Sequence, residues 1–142
     1  MAATTAPEEQ RMESPPTVVF VCLHGSAKSL IAAEHFTRLA VERGVAARAT
    51  SAGVEPDPEI PPKVIDGLLQ DGIDVRGRQP RPVAAGELAR ARRVISFGCE
   101  LGPLVPLGIP VERWDDVPAV SENYGVARAA ILARVEQLFG RI

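Results

Sequence analysis

The sequence predicts an α/β fold: a four-stranded parallel sheet with helices on both faces, in a Rossmann-like three-layer arrangement. Short β-branched and apolar runs alternate with segments in which apolar residues recur at helical spacing. Because parallel strands are joined by crossover connections, strands that alternate with helices indicate a parallel sheet covered on both sides. The carboxyl ends of the strands then share one edge, where such sheets bind their ligands.

Each predicted element has its own signal. Residues 17–22, "TVVFVC", form an apolar run typical of a strand buried on both faces, and further strands are predicted over 47–53, 93–97 and 109–114. Helices are predicted from Ser29 to about 43, from Pro61 or Pro62 to just before Gly72, over 85–91 and over 124–139. In the second helix the predicted buried stripe consists of Val64, Ile65, Leu68 and Leu69.

Length and composition limit the function classes. The 142 residues suit a leader of 1–16, predicted to be disordered, and a single domain of 17–142. A net charge of -2 provides no broad basic surface, which argues against nucleic acid or an anionic membrane as partner. No apolar stretch approaches the roughly 20 residues that span a bilayer. A cytoplasmic location in a reducing compartment is the expectation, and the oligomeric state is left open.

Residues 18–29, "VVFVCLHGSAKS", contain the candidate chemistry. A strand leads into a turn of small residues whose N–H groups can form an anion-binding cup, and the following helix dipole adds positive potential. A sulfur at the base of this cup, that of Cys22, is favoured as a thiolate, more so with a hydroxyl donor such as Ser29. A thiolate under such donors is a nucleophile for a tetrahedral oxyanion. The alternative is that Cys22 is a small buried apolar residue.

This stretch resembles the phosphate loop of the low-molecular-weight protein tyrosine phosphatases and of the arsenate reductases that share their fold. In that loop, Cys is followed after five residues by Arg and Ser. The resemblance continues through "TSAGVEPDPEIPPKVIDGLLQDGIDV", "RVISFGC" and "WDDVPAV", so it extends over nearly everything after the leader. It implies a low-molecular-weight phosphatase-like domain.

The resemblance also implies roles for the residues of the loop. Cys22 is the nucleophile that forms a thiol-phosphate, and Ser29 stabilises its thiolate. An aspartate on the loop after the last strand protonates the leaving oxygen and then activates water. The backbone N–H groups that bind the oxyanion are those of Leu23, His24, Gly25, Ser26, Ala27, Lys28 and Ser29.

Two positions depart from the family pattern. Lys28 stands where the family has arginine, so the charge is kept but the planar fork that holds two oxygens is lost. Losing one such interaction costs about 2–4 kcal/mol, or about two to three orders of magnitude in rate, so weak or atypical activity is expected. The family carries Asp directly before Pro, whereas here Val117 intervenes. Asp116 is the preferred acid and Asp115 the second, with capping of the loop as the alternative.

Three functions remain open: a phosphatase acting through a thiol-phosphate, an arsenate reductase using an external small thiol, and a non-catalytic oxyanion-binding sensor or interaction module. The expected partner is phosphate, arsenate or a phosphomonoester, and the scarcity of aromatic residues favours a small or inorganic oxyanion. No cofactor beyond such a thiol is implied. Two histidines and two cysteines at unrelated spacings do not predict a metal site. Cys99 is interpreted as structural, because a disulfide relay would need a third cysteine.

Overall fold

The computed structural model describes residues 15–105 and 108–141. This part of the chain contains four strands and four α-helices, with two successive helices between the second and third strands and a 3₁₀ turn at Gly102–Leu104 that the sequence did not predict. The first strand and the last helix have the predicted bounds. The elements are β1 (Thr17–Cys22), α1 (Lys28–Arg43), β2 (Arg48–Gly53), α2 (Pro62–Gln70), α3 (Ala85–Arg90), β3 (Arg93–Ser96), β4 (Val111–Arg113) and α4 (Tyr124–Phe139).

The sheet is parallel throughout and has the strand order β2-β1-β3-β4. Strand β1 is therefore central, and its alternate side chains enter two different core clusters. Val18 and Phe20 belong to the larger cluster, whereas Val19 and Val21 belong to the smaller one. The carboxyl end of β1 lies where the chain passes from one side of the sheet to the other, which is the usual ligand position in open α/β sheets.

Helices cover both faces of the sheet, as predicted. The larger cluster joins α1, α2 and α4 to one face, and its aromatic centre is Phe20 packed against Phe36 and Trp114. The smaller cluster joins α3 to the other face through Leu88. This arrangement confirms the predicted α/β class and leaves the carboxyl edge of the sheet free for a site.

Two predictions at the level of single residues are corrected. Leu69 was placed in the buried stripe of α2 but is 40% exposed, because a single helix face already buries Val64 and Leu68. Pro16 was placed in the leader, yet its carbonyl accepts a hydrogen bond from the Arg48 N–H at 2.8 Å, so backbone pairing begins before β1. Residues 1–14 of the predicted leader lie outside the described residues.

A search of the helices in the described residues finds none that combines the length and apolarity needed to cross a bilayer.

Candidate functional site: an oxyanion cup at the end of strand β1

The loop of residues 23–27, between β1 and α1, is shaped by two glycines that touch through their backbones. Gly25 has φ +64°, a left-handed conformation that glycine adopts without strain. A Cβ added to Gly25 would lie 2.5 Å from the Gly53 nitrogen, and one added to Gly53 would lie 2.6 Å from the Gly25 nitrogen. Neither position therefore accommodates a side chain. The Ser-Ala-Gly turn that ends β2 is the sequence signal for Gly53.

The segment after β2 holds this loop along its backbone. The N–H groups of Val54 and Glu55 donate to the carbonyls of Cys22 and Leu23 at 3.2 and 2.7 Å. Helix α1 follows without a capping side chain, since its N-cap residue is Ala27. Within the described residues, the Ala27 N–H has no acceptor, like those of His24 and Ser26. The loop thus presents free N–H groups at a helix N-terminus, an arrangement that binds anions.

The sulfur of Cys22 lies among hydrogen-bond donors. The Gly25 N–H donates to Cys22 Sγ at 3.2 Å, and Ser29 Oγ lies 3.0 Å from the same sulfur. Ser29 is fully buried, so water does not compete for the hydrogen bond of its hydroxyl. When the sulfur is a thiolate, it accepts both hydrogen bonds, and such bonds to a charged group stabilise that form.

Cys22 opens onto a cavity of about 420 Å³. Lys28, Lys63 and Asp57 are the charged residues of its lining, and the walls are otherwise mainly apolar. A pocket of this volume falls within the range of small-molecule sites, about 300–1,000 Å³. The apolar lining residues are Leu23, Ala27, Pro61, Val64, Phe97, Ala119 and Val120.

Two lysines tie one wall of this cavity, the segment 117–121, to the helices. Lys28 Nζ donates to the Val117 carbonyl at 2.8 Å, and Lys63 Nζ donates to the Ser121 carbonyl at 3.2 Å. Lys28 therefore lies at the cup as predicted, but one of its three donors is committed to the wall.

The predicted acids are not brought to the cavity. Asp115 and Asp116 are absent from its lining in the described part of the chain. Asp115 Oδ2 accepts a hydrogen bond from Arg113 Nε at 3.0 Å, while Asp116 is 71% exposed and bonded to Arg134. The Arg134 guanidinium holds the pKa of Asp116 below its usual value.

The packing of Trp114 explains this placement. Its ring is fully buried and lies 5.8 Å below the Arg134 guanidinium, so the chain after β4 turns its next side chains outward towards α4. The assignment of Asp116 or Asp115 as the acid is therefore not supported by the geometry.

A carboxylate that the sequence analysis overlooked does line the cavity. Asp57, on the proline-rich loop after β2, accepts a hydrogen bond from Ser26 Oγ at 2.8 Å. Its other oxygen lies 3.4 Å from His24 Nδ1. An acidic residue just past the carboxyl end of a strand was the available signal, but it was hidden among the loop prolines.

Cys99 lies away from the cup. It is 8% exposed and packs in the smaller core cluster, on the opposite face of the sheet from the cluster that contains Cys22. Both cysteines are free. These positions support the structural interpretation of Cys99. Across residues 15–105 and 108–141, no group of three histidine, cysteine or acidic residues has the placement of a metal site.

The fold and the site together define an α/β protein whose central strand delivers a cysteine to an oxyanion cup. Residues 17–99 match the family model described as low molecular weight phosphotyrosine protein phosphatase, and the chain belongs to this family.

Three solved structures show the likeness in detail. YfkJ from Bacillus subtilis has a TM-score of 0.78 at 24% identity, with 91% of this chain and 95% of that chain covered. An arsenate reductase from Archaeoglobus fulgidus has a TM-score of 0.67 at 28% identity, with 87% and 98% covered. A structure of an arsenate reductase in the phosphate binding state has a TM-score of 0.72 at 26% identity, with 89% of this chain and 98% of that chain covered.

Proposed function

We propose that this protein is a cysteine-dependent phosphatase of the low-molecular-weight class that acts through a thiol-phosphate intermediate. One observation carries the proposal: Cys22 Sγ is held by Ser29 and by the Gly25 N–H and opens onto the cavity. A buried sulfur that served only as an apolar filler would need neither the unpaired N–H groups around it nor access to a cavity.

The shape of the cavity supports an organic substrate. An inorganic anion needs only the cup, whereas about 420 Å³ of mainly apolar space beside it accommodates a small hydrocarbon group. Phe97 is the aromatic side chain among the lining residues, and most of the remaining wall is aliphatic. The substrate class favoured by this wall is a phosphomonoester with a compact apolar group, in contrast to the inorganic oxyanion that aromatic scarcity suggested.

The chemistry follows from the cup. The thiolate attacks phosphorus while the loop N–H groups and the start of α1 stabilise the charge on the non-bridging oxygens. Lys28 adds a positive charge, but its ammonium already donates to the Val117 carbonyl and has no planar fork. Turnover is therefore slow relative to an arginine-containing cup, by a factor of about 10² to 10³.

Arsenate reduction is the second candidate, and the two arsenate reductases at 28% and 26% identity favour it. Cys22 would attack arsenic in place of phosphorus, and an external small thiol would then resolve the adduct. Cys99 takes no part in this route because it packs on the other face of the sheet.

The test compares the wild type with Cys22→Ser. Hydrolysis of 4-nitrophenyl phosphate that disappears in the variant is the expected result. Loss of arsenate that depends on a small thiol, without phosphatase turnover, would replace the first proposal by the second. If neither reaction occurs while phosphate still raises the melting temperature, the protein binds oxyanions without turnover and both enzymatic proposals fail.

A further inference from the structure

The cup contains a histidine whose Nδ1 is hydrogen-bonded to a backbone carbonyl and lies at ion-pair distance from a carboxylate. His24 Nδ1 lies 3.1 Å from the Glu55 carbonyl oxygen and 3.4 Å from Asp57 Oδ1. Asp57 and His24 are also joined through their backbones, since the Asp57 N–H donates to the His24 carbonyl at 3.1 Å. Both side chains line the cavity into which Cys22 opens. The segment after β2 thus holds the imidazole at the cavity onto which Cys22 opens.

These contacts determine which ring nitrogen is available. A carbonyl and a carboxylate only accept hydrogen bonds, so Nδ1 carries the hydrogen. The other nitrogen, Nε2, makes no hydrogen bond within the described residues, and the side chain is 51% exposed. A ring held at Nδ1 with a free Nε2 is the arrangement of a general acid and base oriented by a third group.

We infer that His24 is the catalytic acid and base of this site and that Asp57 is the residue that positions it. The inference rests on the proposed phosphatase activity and assigns to His24 the role that the resemblance implies for an aspartate after β4. That role is vacant at the cavity, since Asp115 and Asp116 are engaged by arginines away from it.

Asp57 itself is less suited to deliver the proton. Its Oδ2 already accepts from Ser26 Oγ at 2.8 Å, and its Oδ1 faces His24. One oxygen is therefore hydrogen-bonded and the other lies at ion-pair distance from the imidazole, an arrangement that suits an orienting carboxylate. Ser26 belongs to the cup loop, so this hydrogen bond also ties the pair to the anion site.

His24 can donate and accept every proton that the two steps of the reaction require. The Cys22 thiolate forms the S–P bond as the P–O bond to the leaving group breaks. His24 enters this step as the imidazolium, with a hydrogen on each ring nitrogen, and its Nε2 proton passes to the departing oxygen, which leaves as an alcohol or phenol. Neutral His24 then accepts a proton from the water that attacks phosphorus. The S–P bond breaks, and phosphate, the thiolate and the protonated imidazole are regenerated.

The experiment measures kcat/KM, which reports the transfer of the phosphoryl group to Cys22 and not the later hydrolysis, for His24→Gln on aryl phosphates whose leaving groups range from 4-nitrophenol to phenol. A nitrophenolate departs without a proton, whereas phenolate benefits from one. We expect a loss of about 10² or more on phenyl phosphate and of less than about 10-fold on 4-nitrophenyl phosphate. In Asp57→Asn, kcat/KM should fall less, and the loss should again be larger on phenyl phosphate than on 4-nitrophenyl phosphate.

The controls distinguish a failure of the role inferred for His24 from a failure of the proposed phosphatase activity. His35→Gln alters the other histidine of the chain, which is not in the cavity lining, and should leave the leaving-group dependence unchanged. Equal losses on both substrates in a folded His24→Gln, or no loss, would overturn the inference while leaving the phosphatase intact. A larger loss on phenyl phosphate than on 4-nitrophenyl phosphate in Asp57→Asn, without such a difference in His24→Gln, would also overturn it, in favour of Asp57. If the wild type hydrolyses no ester, the proposed function fails and the inference falls with it.

Discussion

The backbone contact between Gly25 and Gly53 makes a sharp prediction for Gly25→Ala. Gly25 has φ +64°, and an added Cβ would lie 2.5 Å from the Gly53 nitrogen and 2.8 Å from its Cα. These are backbone atoms in the last residue of β2, so no side-chain rotation relieves the overlap. The substitution must move the loop away from the strand and open the cup.

The magnitude has two parts, and the chain supplies a control for one of them. An alanine in the left-handed conformation costs about 1–2 kcal/mol, and overpacking against rigid neighbours adds about 1–3 kcal/mol. Gly44, which ends α1, has nearly the same φ of +66° but has no atom within 4 Å of the Cβ position. Gly44→Ala therefore carries the conformational cost alone.

Thermal unfolding with and without phosphate measures both effects. At about 4 °C per kcal/mol for a chain of this size, we expect a melting temperature lower by about 4–8 °C for Gly44→Ala and by about 8–20 °C for Gly25→Ala. Phosphate should stabilise the wild type and Gly44→Ala but not Gly25→Ala. Equal melting temperatures for the two variants, with phosphate stabilisation retained in both, would refute the proposed role of the glycine contact.

The remaining predictions concern charge. Lys28→Arg should raise kcat/KM on aryl phosphate by at least about 10-fold, because the guanidinium fork holds two oxygens of the phosphate. If the variant binds phosphate but gains no activity, poor contact with the phosphate oxygens is not what limits the wild-type rate. Asp116→Asn should change kcat less than about twofold, because this side chain is bonded to Arg134, whereas a catalytic acid would cost about 10²-fold or more. Burial lowers the pKa of His35 from its ordinary value of 6.5, so the unfolded chain binds a proton more readily than the folded protein. The free energy of unfolding therefore falls as the pH drops below 6.5, by at most about 1.4 kcal/mol per pH unit. In denaturant titrations at pH 7 and 5, His35→Asn should lose less stability than the wild type, and an equal loss would contradict this.

The fold was readable from the sequence because its signals are local and agree with each other. The β1 run "TVVFVC" is apolar on both faces, as a central parallel strand requires, and its predicted bounds are those observed. The helix that begins at Tyr124 also has its predicted bounds, and Asn123 caps it by accepting from the Val126 N–H at 3.1 Å. Errors arose where the chain is short or irregular, as in β4, where Pro110 lacks an N–H group and the strand starts one residue later.

The cup was predictable for the same reason, since Cys22, Gly25 and Ser29 lie within one short stretch. The carboxylate at the cavity was not, because its position depends on contacts between distant parts of the chain. Asp116 follows β4, on the loop where the family carries its aspartate, yet the buried Trp114 and the nearby Arg134 direct it outward. Conversely, Asp57 reaches the cavity through hydrogen bonds between the segment after β2 and the cup, and sequence spacing does not encode those bonds.

Lys28, at the position where the family has arginine, also holds one wall of the cavity through its hydrogen bond to the Val117 carbonyl. Lys28 lies in the first turn of α1, where its ammonium can contact an anion in the cup, and it also donates to the Val117 carbonyl. An ammonium has three donors on a flexible stem, so two remain for oxygens of a bound anion while the third keeps the wall in place. An arginine would hold the anion through its planar fork, so its donors would contact the oxygens of the anion and not the Val117 carbonyl. Lys28 thus exchanges some stabilisation of the proposed transition state for an anchored wall of the apolar cavity. This exchange agrees with the proposed slow phosphatase, whose selectivity would depend on the group beside the phosphate.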